Sequence, residues 1–102
     1  MVQLIVLYPQ PTNVPQFETD YTAHVALLHE KTGIPTDQKP YAVTKFLAAP
    51  VTPHYYQMFS MPFINLKALQ ATMASTGMQE VAADANRISS GGPITILIGS
   101  DD

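Results

Sequence analysis

The segment Val2 to Tyr8 carries apolar side chains on both faces of a strand, and nothing else in the sequence constrains the fold as strongly. Side chains alternate across a strand, so Val2, Leu4, Val6 and Tyr8 share one side while Ile5 and Leu7 take the other. Pro9 and Pro11 stop the run. A second segment, Tyr55 to Met61, opposes Tyr55, Phe59 and Met61 to Tyr56 and Met58. A sheet built from such strands needs cover on both faces, and helices on one side leave the other bare.

The punctuation between these segments sets the order of elements. Asn13 with Gln16 is a variant capping box, Pro15 falls in the first turn, and Gly33 with Pro35 closes the far end, which predicts a helix from about Val14 to Lys31. Tyr41 to Leu47 reads as the second strand. A turn-rich segment, Ala48 to His54, then joins it to the Tyr55 strand as a hairpin. Asn65 caps a second helix with Leu66, Leu69 and Met73 on one face, ending near Gly77. Thr76 and Gln79 restart a shorter helix with Val81, Ala82, Ala85 and Ile88 as its apolar side. Gly91, Gly92 and Pro93 end that helix before a fourth strand, Ile94 to Ile98.

Strand, helix, strand, strand, helix, strand is the split βαβ order of an α+β, ferredoxin-like sandwich with a four-stranded antiparallel sheet. The chain is expected to form one domain over residues 1–102. An uncovered apolar sheet face is larger than monomers usually expose, so a second copy packing sheet to sheet is expected, giving a symmetric homodimer.

Composition narrows the partners. Hydrophobic residues make up 46% of the 102 and charged residues only 13%, which leaves few groups to solvate the surface. The net charge is -3, and Lys31, Lys39, Lys45, Lys67 and Arg87 are scattered, so neither nucleic acid nor an anionic membrane is an expected partner. No apolar run approaches the ~20 residues of a membrane span, and a cytoplasmic protein is expected. The absence of cysteine removes disulfides, thiol nucleophiles and thiolate metal sites.

Several segments in order carry a resemblance to the EthD family of dimeric α+β barrel proteins. They are Leu4-Ile5-Val6-Leu7-Tyr8, the Phe17, Tyr21, His24 spacing, Gly33-Ile34-Pro35, Tyr55-Tyr56, Asn65-Leu66-Lys67-Ala68-Leu69 and Ile96-Leu97-Ile98-Gly99. The family often places proline two residues after the helix histidine, where this chain has Ala26. The resemblance implies a dimeric barrel with a small, mostly apolar cavity between sheet and helices. EthD-like proteins are associated with ether degradation, and similar barrels include cofactor-free isomerases, polyketide cyclases and monooxygenases, so the fold does not choose the chemistry.

Helix geometry, at ~100° per residue, gathers Phe17, Tyr21, His24, Val25 and Leu28 on one face and points His24 toward the sheet. Two readings stand for His24: a core histidine satisfied by a tyrosine hydroxyl or a backbone carbonyl, or a general acid or base in the cavity. Tyr41 either packs on the sheet or orients His24 or a substrate carbonyl. His54 either reaches the cavity mouth or sits in water. Tyr21 can hydrogen-bond a ligand or belong to the core. Tyr55, Tyr56, Met58, Phe59 and Met73 suit an adaptable apolar pocket, and plain packing also explains them.

Other motifs fail on spacing. His29-Glu30 opens like H-E-x-x-H, but Gly33 stands at the second histidine position, and His24 and His29 diverge by ~140° on a helix, so no metal is expected. Gly91-Gly92 lacks G-x-G-x-x-G spacing, and no nucleotide or other cofactor is expected. Glu80 and Asp84 lie one turn apart and read as a solvated helix face. Three functions fit. One is a cofactor-independent enzyme on a small apolar carbonyl or lactone compound, with His24 moving a proton and Tyr41 or His54 stabilising the oxyanion. The second is a non-catalytic protein holding a small apolar metabolite for a degradation pathway, and the third a structural module with a filled core.

Overall fold

The computed structural model describes residues 1–101. Strand β1 (Val2–Pro9) is followed by helix α1 (Val14–Thr32), strands β2 (Ala42–Lys45) and β3 (Tyr55–Phe63), helices α2 (Leu66–Met73) and α3 (Thr76–Ile88), and strand β4 (Thr95–Ser100). The strands form one sheet in the order β2-β3-β1-β4, and every neighbouring pair is antiparallel. This is the α+β ferredoxin-like arrangement expected from the element order.

Caps fix the helix boundaries. The Asn13 side chain accepts a hydrogen bond from the Gln16 amide at 3.0 Å, and Gly33 ends α1 in the left-handed region. The Asn65 side chain accepts from the Ala68 amide, and Ser75 Oγ from the Met78 amide. The Ser75 cap corrects the expected helix break. It stops α2 at Met73 and starts α3 at Thr76, so the third helix is the longer of the two and Gly77 lies inside it. Strand β2 is shorter than Tyr41 to Leu47, and all four of its residues are exposed.

The core lies on one side of the sheet. Leu4, Phe59 and Met61 of the strands meet Leu28 of α1, Leu69 of α2, and Met78 and Val81 of α3. A second cluster joins Tyr8 to Phe17, Tyr21, Ala85 and Ile88. The strand faces are as expected for β1, but β3 departs at its start. A register shift between Tyr8 and Pro9 pairs Tyr8 with Gln57 and Pro9 with Tyr55, which leaves Tyr56 as the extra residue of a bulge. Tyr56 therefore reaches the helices, packing edge-on to Phe17 and donating to Glu18, while Tyr55 turns away toward Thr95. The expectation that Tyr55 shares a face with Phe59 and Met61 is overturned by that one extra residue.

The opposite sheet face carries no helix. Leu7 lies opposite Met58 and Ile5 opposite Leu97, so these four side chains form one apolar strip, and Leu97 is 47% exposed. The helices also stop short of β4, where Ile96 and Ile98 on the helix side are 43% and 52% exposed. The turn that delivers β4 is tightly fitted: a Cβ on Gly91 would fall 1.9 Å from the Gln10 carbonyl oxygen. Gly91→Ala is expected to force the two loops apart and cost about 1–3 kcal/mol, measured by urea unfolding. An unchanged midpoint would show that this approach is not part of the fold in solution.

Candidate functional site

Two histidines project from different flanks of α1, and each has its own partners. His24, 6% exposed, lies between β1 and α3. Its Nδ1 is 2.8 Å from Asp84 Oδ2, and Arg87 Nε donates to the other carboxylate oxygen at 2.8 Å. Its Nε2 is 3.5 Å from the Tyr8 hydroxyl. The close approach of α1 to α3 makes this possible, and Gly77, whose Cβ would fall 2.6 Å from the Lys31 carbonyl oxygen, permits it.

Protonation states follow from the partners. Burial pushes the Asp84 carboxyl up, but hydrogen bonds from His24 and Arg87 outweigh burial and hold it below the usual carboxylate range. An ionised carboxylate only accepts, so His24 Nδ1 carries the proton and donates it to Asp84. In the neutral ring Nε2 is then an acceptor. Burial, with Tyr21 and Asp84 nearby, pushes the Tyr8 phenol far up, so it remains a neutral donor.

Beside this chain of three groups lies a cavity of about 40 Å³. His24, Tyr8, Phe59, Met73, Val81 and Ile96 are among its walls, and Ile96 of β4 is itself 43% exposed. Nearly all of the lining is apolar, so Tyr8 and His24 are its polar features. The expected residues His24, Phe59 and Met73 come together here. Tyr41, His54, Tyr21, Tyr55 and Met58 do not line it.

Each of these five has another place. Tyr41 does not orient His24: its hydroxyl is 2.7 Å from Nε2 of His29. His54 is exposed and packs edge-on against the Tyr55 ring at 4.7 Å. Met58 lies on the helix-free sheet face opposite Leu7, and the β3 bulge directs Tyr55 there too. Tyr21 is buried between the Tyr8 and Phe17 rings. Its hydroxyl and both amide atoms of the fully buried Gln57 form no hydrogen bond within the protein, though the amide is near enough to act on the phenol.

Asp84, Tyr8 and Gln57 are the polar residues that reading the sequence did not place at a site. Asp84 reads as solvated beside Glu80, yet Glu80 pairs with Lys31 while Asp84 turns inward. The available signal was its position three residues after Val81 and four before Ile88, at the edge of the buried stripe of α3.

The second histidine, His29, is also buried. Its Nδ1 is 3.0 Å from the Ile34 carbonyl oxygen and 3.1 Å from that of Pro35. Carbonyls only accept, so Nδ1 carries the proton and Nε2 accepts from Tyr41. Among the described residues no group of three or more His, Asp or Glu side chains is arranged to hold a metal ion. No helix is long and apolar enough to cross a membrane.

No protein-family model matches the sequence, and no curated protein does. The crystal structure of an ethyl tert-butyl ether degradation (EthD) family protein from Bacillus halodurans matches the fold with a TM-score of 0.81 and 27% identity, covering 100% of this chain and 99% of that one. The chain is EthD-like. A dimeric ferredoxin-like protein of unknown function from Jannaschia sp. matches at TM-score 0.71 and 12% identity over 98% of this chain and 99% of its own. Another from Thermobifida fusca matches at 0.65 and 12%, over 97% and 89%. The resemblance read from the sequence thus holds for the EthD-like chain in three dimensions.

The His24–Asp84 pair makes a pH-dependent contribution to stability. Because the folded carboxyl titrates below its unfolded value of ~3.9, the contribution is complete above that value and is lost as pH falls through the folded one. Asp84→Asn is expected to cost about 1–3 kcal/mol near pH 5. In urea unfolding the gap from the wild type should narrow toward about pH 2. A gap that stays constant over this range would contradict an ionised, hydrogen-bonded Asp84.

Proposed function

We propose that this EthD-like protein is a cofactor-independent enzyme of the proton-transfer type, an isomerase, cyclase or lyase, acting on a small apolar carbonyl or lactone compound. The observation that carries this reading is the buried Asp84–His24–Tyr8 chain with its acceptor nitrogen beside an apolar cavity. Asp84 fixes the tautomer, and His24 Nε2 takes a proton from the carbon next to the substrate carbonyl. Tyr8, kept neutral by burial, donates to the oxygen as negative charge develops. Tyr8 takes the role expected of Tyr41 or His54 because it is the donor within reach of Nε2.

The cavity limits what enters. About 40 Å³ admits the carbonyl carbon and its immediate neighbours, while ligand sites commonly exceed ~300 Å³. The rest of the substrate lies outward past Ile96, with the flexible Met73 and Met78 yielding space. A non-catalytic carrier of a small apolar metabolite is the second reading. The Tyr8 hydroxyl facing Nε2 favours it, since this partner must yield before His24 can act.

Exchange of carbon-bound protons with deuterated water, followed by NMR for a panel of small ketones and lactones, separates the two. His24→Gln is expected to slow exchange at least ~100-fold while circular dichroism shows an intact fold. Full exchange by the variant would remove His24 from the mechanism, and binding without exchange by the wild type would favour the carrier.

The apolar strip of Ile5, Leu7, Met58 and Leu97 supports a homodimer formed sheet face to sheet face. The wild type is expected to sediment at twice the mass of the chain, and Leu97→Asp at the monomer mass. A monomeric wild type would overturn this assembly.

A further inference from the structure

The His29–Tyr41 pair borders a groove of about 390 Å³, within the ~300–1,000 Å³ typical of small-molecule sites and far larger than the cavity at His24. We propose that this groove binds a small molecule with a weakly acidic hydroxyl group, a phenol or an enol, and that Tyr41 and His29 together take up its proton.

The hydrogen-bond directions make the case. His29 Nδ1–H is committed to the Ile34 and Pro35 carbonyls, and the Tyr41 proton is committed to His29 Nε2. The Tyr41 oxygen is left as an acceptor on the wall of the groove, so the complementary ligand is a hydroxyl donor. As the ligand proton passes to the Tyr41 oxygen, the Tyr41 proton passes to His29 Nε2. The products are a ligand oxyanion, a neutral Tyr41 and an imidazolium. Burial holds the Tyr41 phenol above its ordinary value, so it passes the proton on and does not rest as phenolate.

The surroundings accommodate both charges. The two backbone carbonyls already accept from the side of the ring that becomes more acidic, and Glu30 on α1 is the carboxylate facing the groove. Lys39, on the loop between α1 and β2, is the cation facing it and offsets the ligand oxyanion. The Tyr21 phenol, further along α1, is pushed up chiefly by burial and stays neutral. Val25, Ala26 and Ile34 give an apolar bed for the remainder of the ligand, an aromatic ring or short hydrocarbon.

4-Nitrophenol tests this directly, because its phenol and phenolate forms absorb at different wavelengths. At about one pH unit below its own midpoint, saturable binding is expected to give a bound probe whose phenolate-to-phenol ratio is at least tenfold higher than in free solution. Tyr41→Phe should abolish that shift while binding of 4-nitroanisole, which has no acidic proton, is retained. His24→Gln should leave the shift in place. Absence of saturable binding, binding without an ionisation shift, or a shift that survives Tyr41→Phe would each overturn the proposal. A shift lost in His24→Gln and kept in Tyr41→Phe would assign the ligand to the other cavity. Retained 4-nitroanisole binding checks that Tyr41→Phe keeps the groove intact, so a fold defect is not read as loss of the proton relay.

Discussion

Helix α1 buries Phe17, Tyr21, His24, Leu28 and His29, and the surroundings of both buried histidines follow from that placement. The helix is fixed in rotation by its large aromatic side chains and along its axis by the caps at Asn13 and Gly33. Once it is fixed, the five-residue spacing of its histidines separates their rings by ~140°. His24 is then presented to α3 and His29 to the loop leading into β2. One helix therefore carries its two buried histidines into different surroundings.

Both histidines are held by the same device in different materials. A carboxylate on α3 fixes the tautomer of His24, and two backbone carbonyls fix that of His29. In each case the other nitrogen faces a tyrosine hydroxyl. The difference is charge. Asp84 is a full negative charge, half-buried and shared with Arg87, so it can balance an imidazolium at His24. The carbonyls near His29 supply dipoles only, and its compensating charge has to come from Glu30 at the groove surface.

The fold was legible in the sequence because its signals are local. Alternation in β1, the cap residues Asn13, Asn65 and Gly33, and the glycines before β4 each act within a few residues, and together they give the strand order. The site was legible only in part. The period of α1 aims His24 inward, but the residue it meets is 60 positions away, and no helical pattern within α3 states which flank will touch α1. Asp84 was missed for that reason. Tyr41 packs on Phe59 as one of its two readings had it, but its hydroxyl meets His29 and not His24, because strand position alone does not say which side of α1 the strand approaches. The bulge at Tyr56 inverted Tyr55 because a single unpaired residue changes face without altering composition.

The aromatic side chains beneath α1 pack as one cluster. Tyr8, Phe17 and Tyr21 pack with ring centroids 5.4 to 5.7 Å apart, and Tyr56 extends the cluster to Glu18, whose carboxylate pushes that phenol up to about 12. The Tyr8, Tyr21, Tyr41 and Tyr56 phenols are all pushed above their ordinary value. All of them are held neutral, chiefly by burial for Tyr8, Tyr21 and Tyr41 and by the Glu18 carboxylate for Tyr56. The Tyr21 hydroxyl and the Gln57 amide are buried without hydrogen-bond partners within the protein, at a cost of roughly 1–3 kcal/mol for each unsatisfied group.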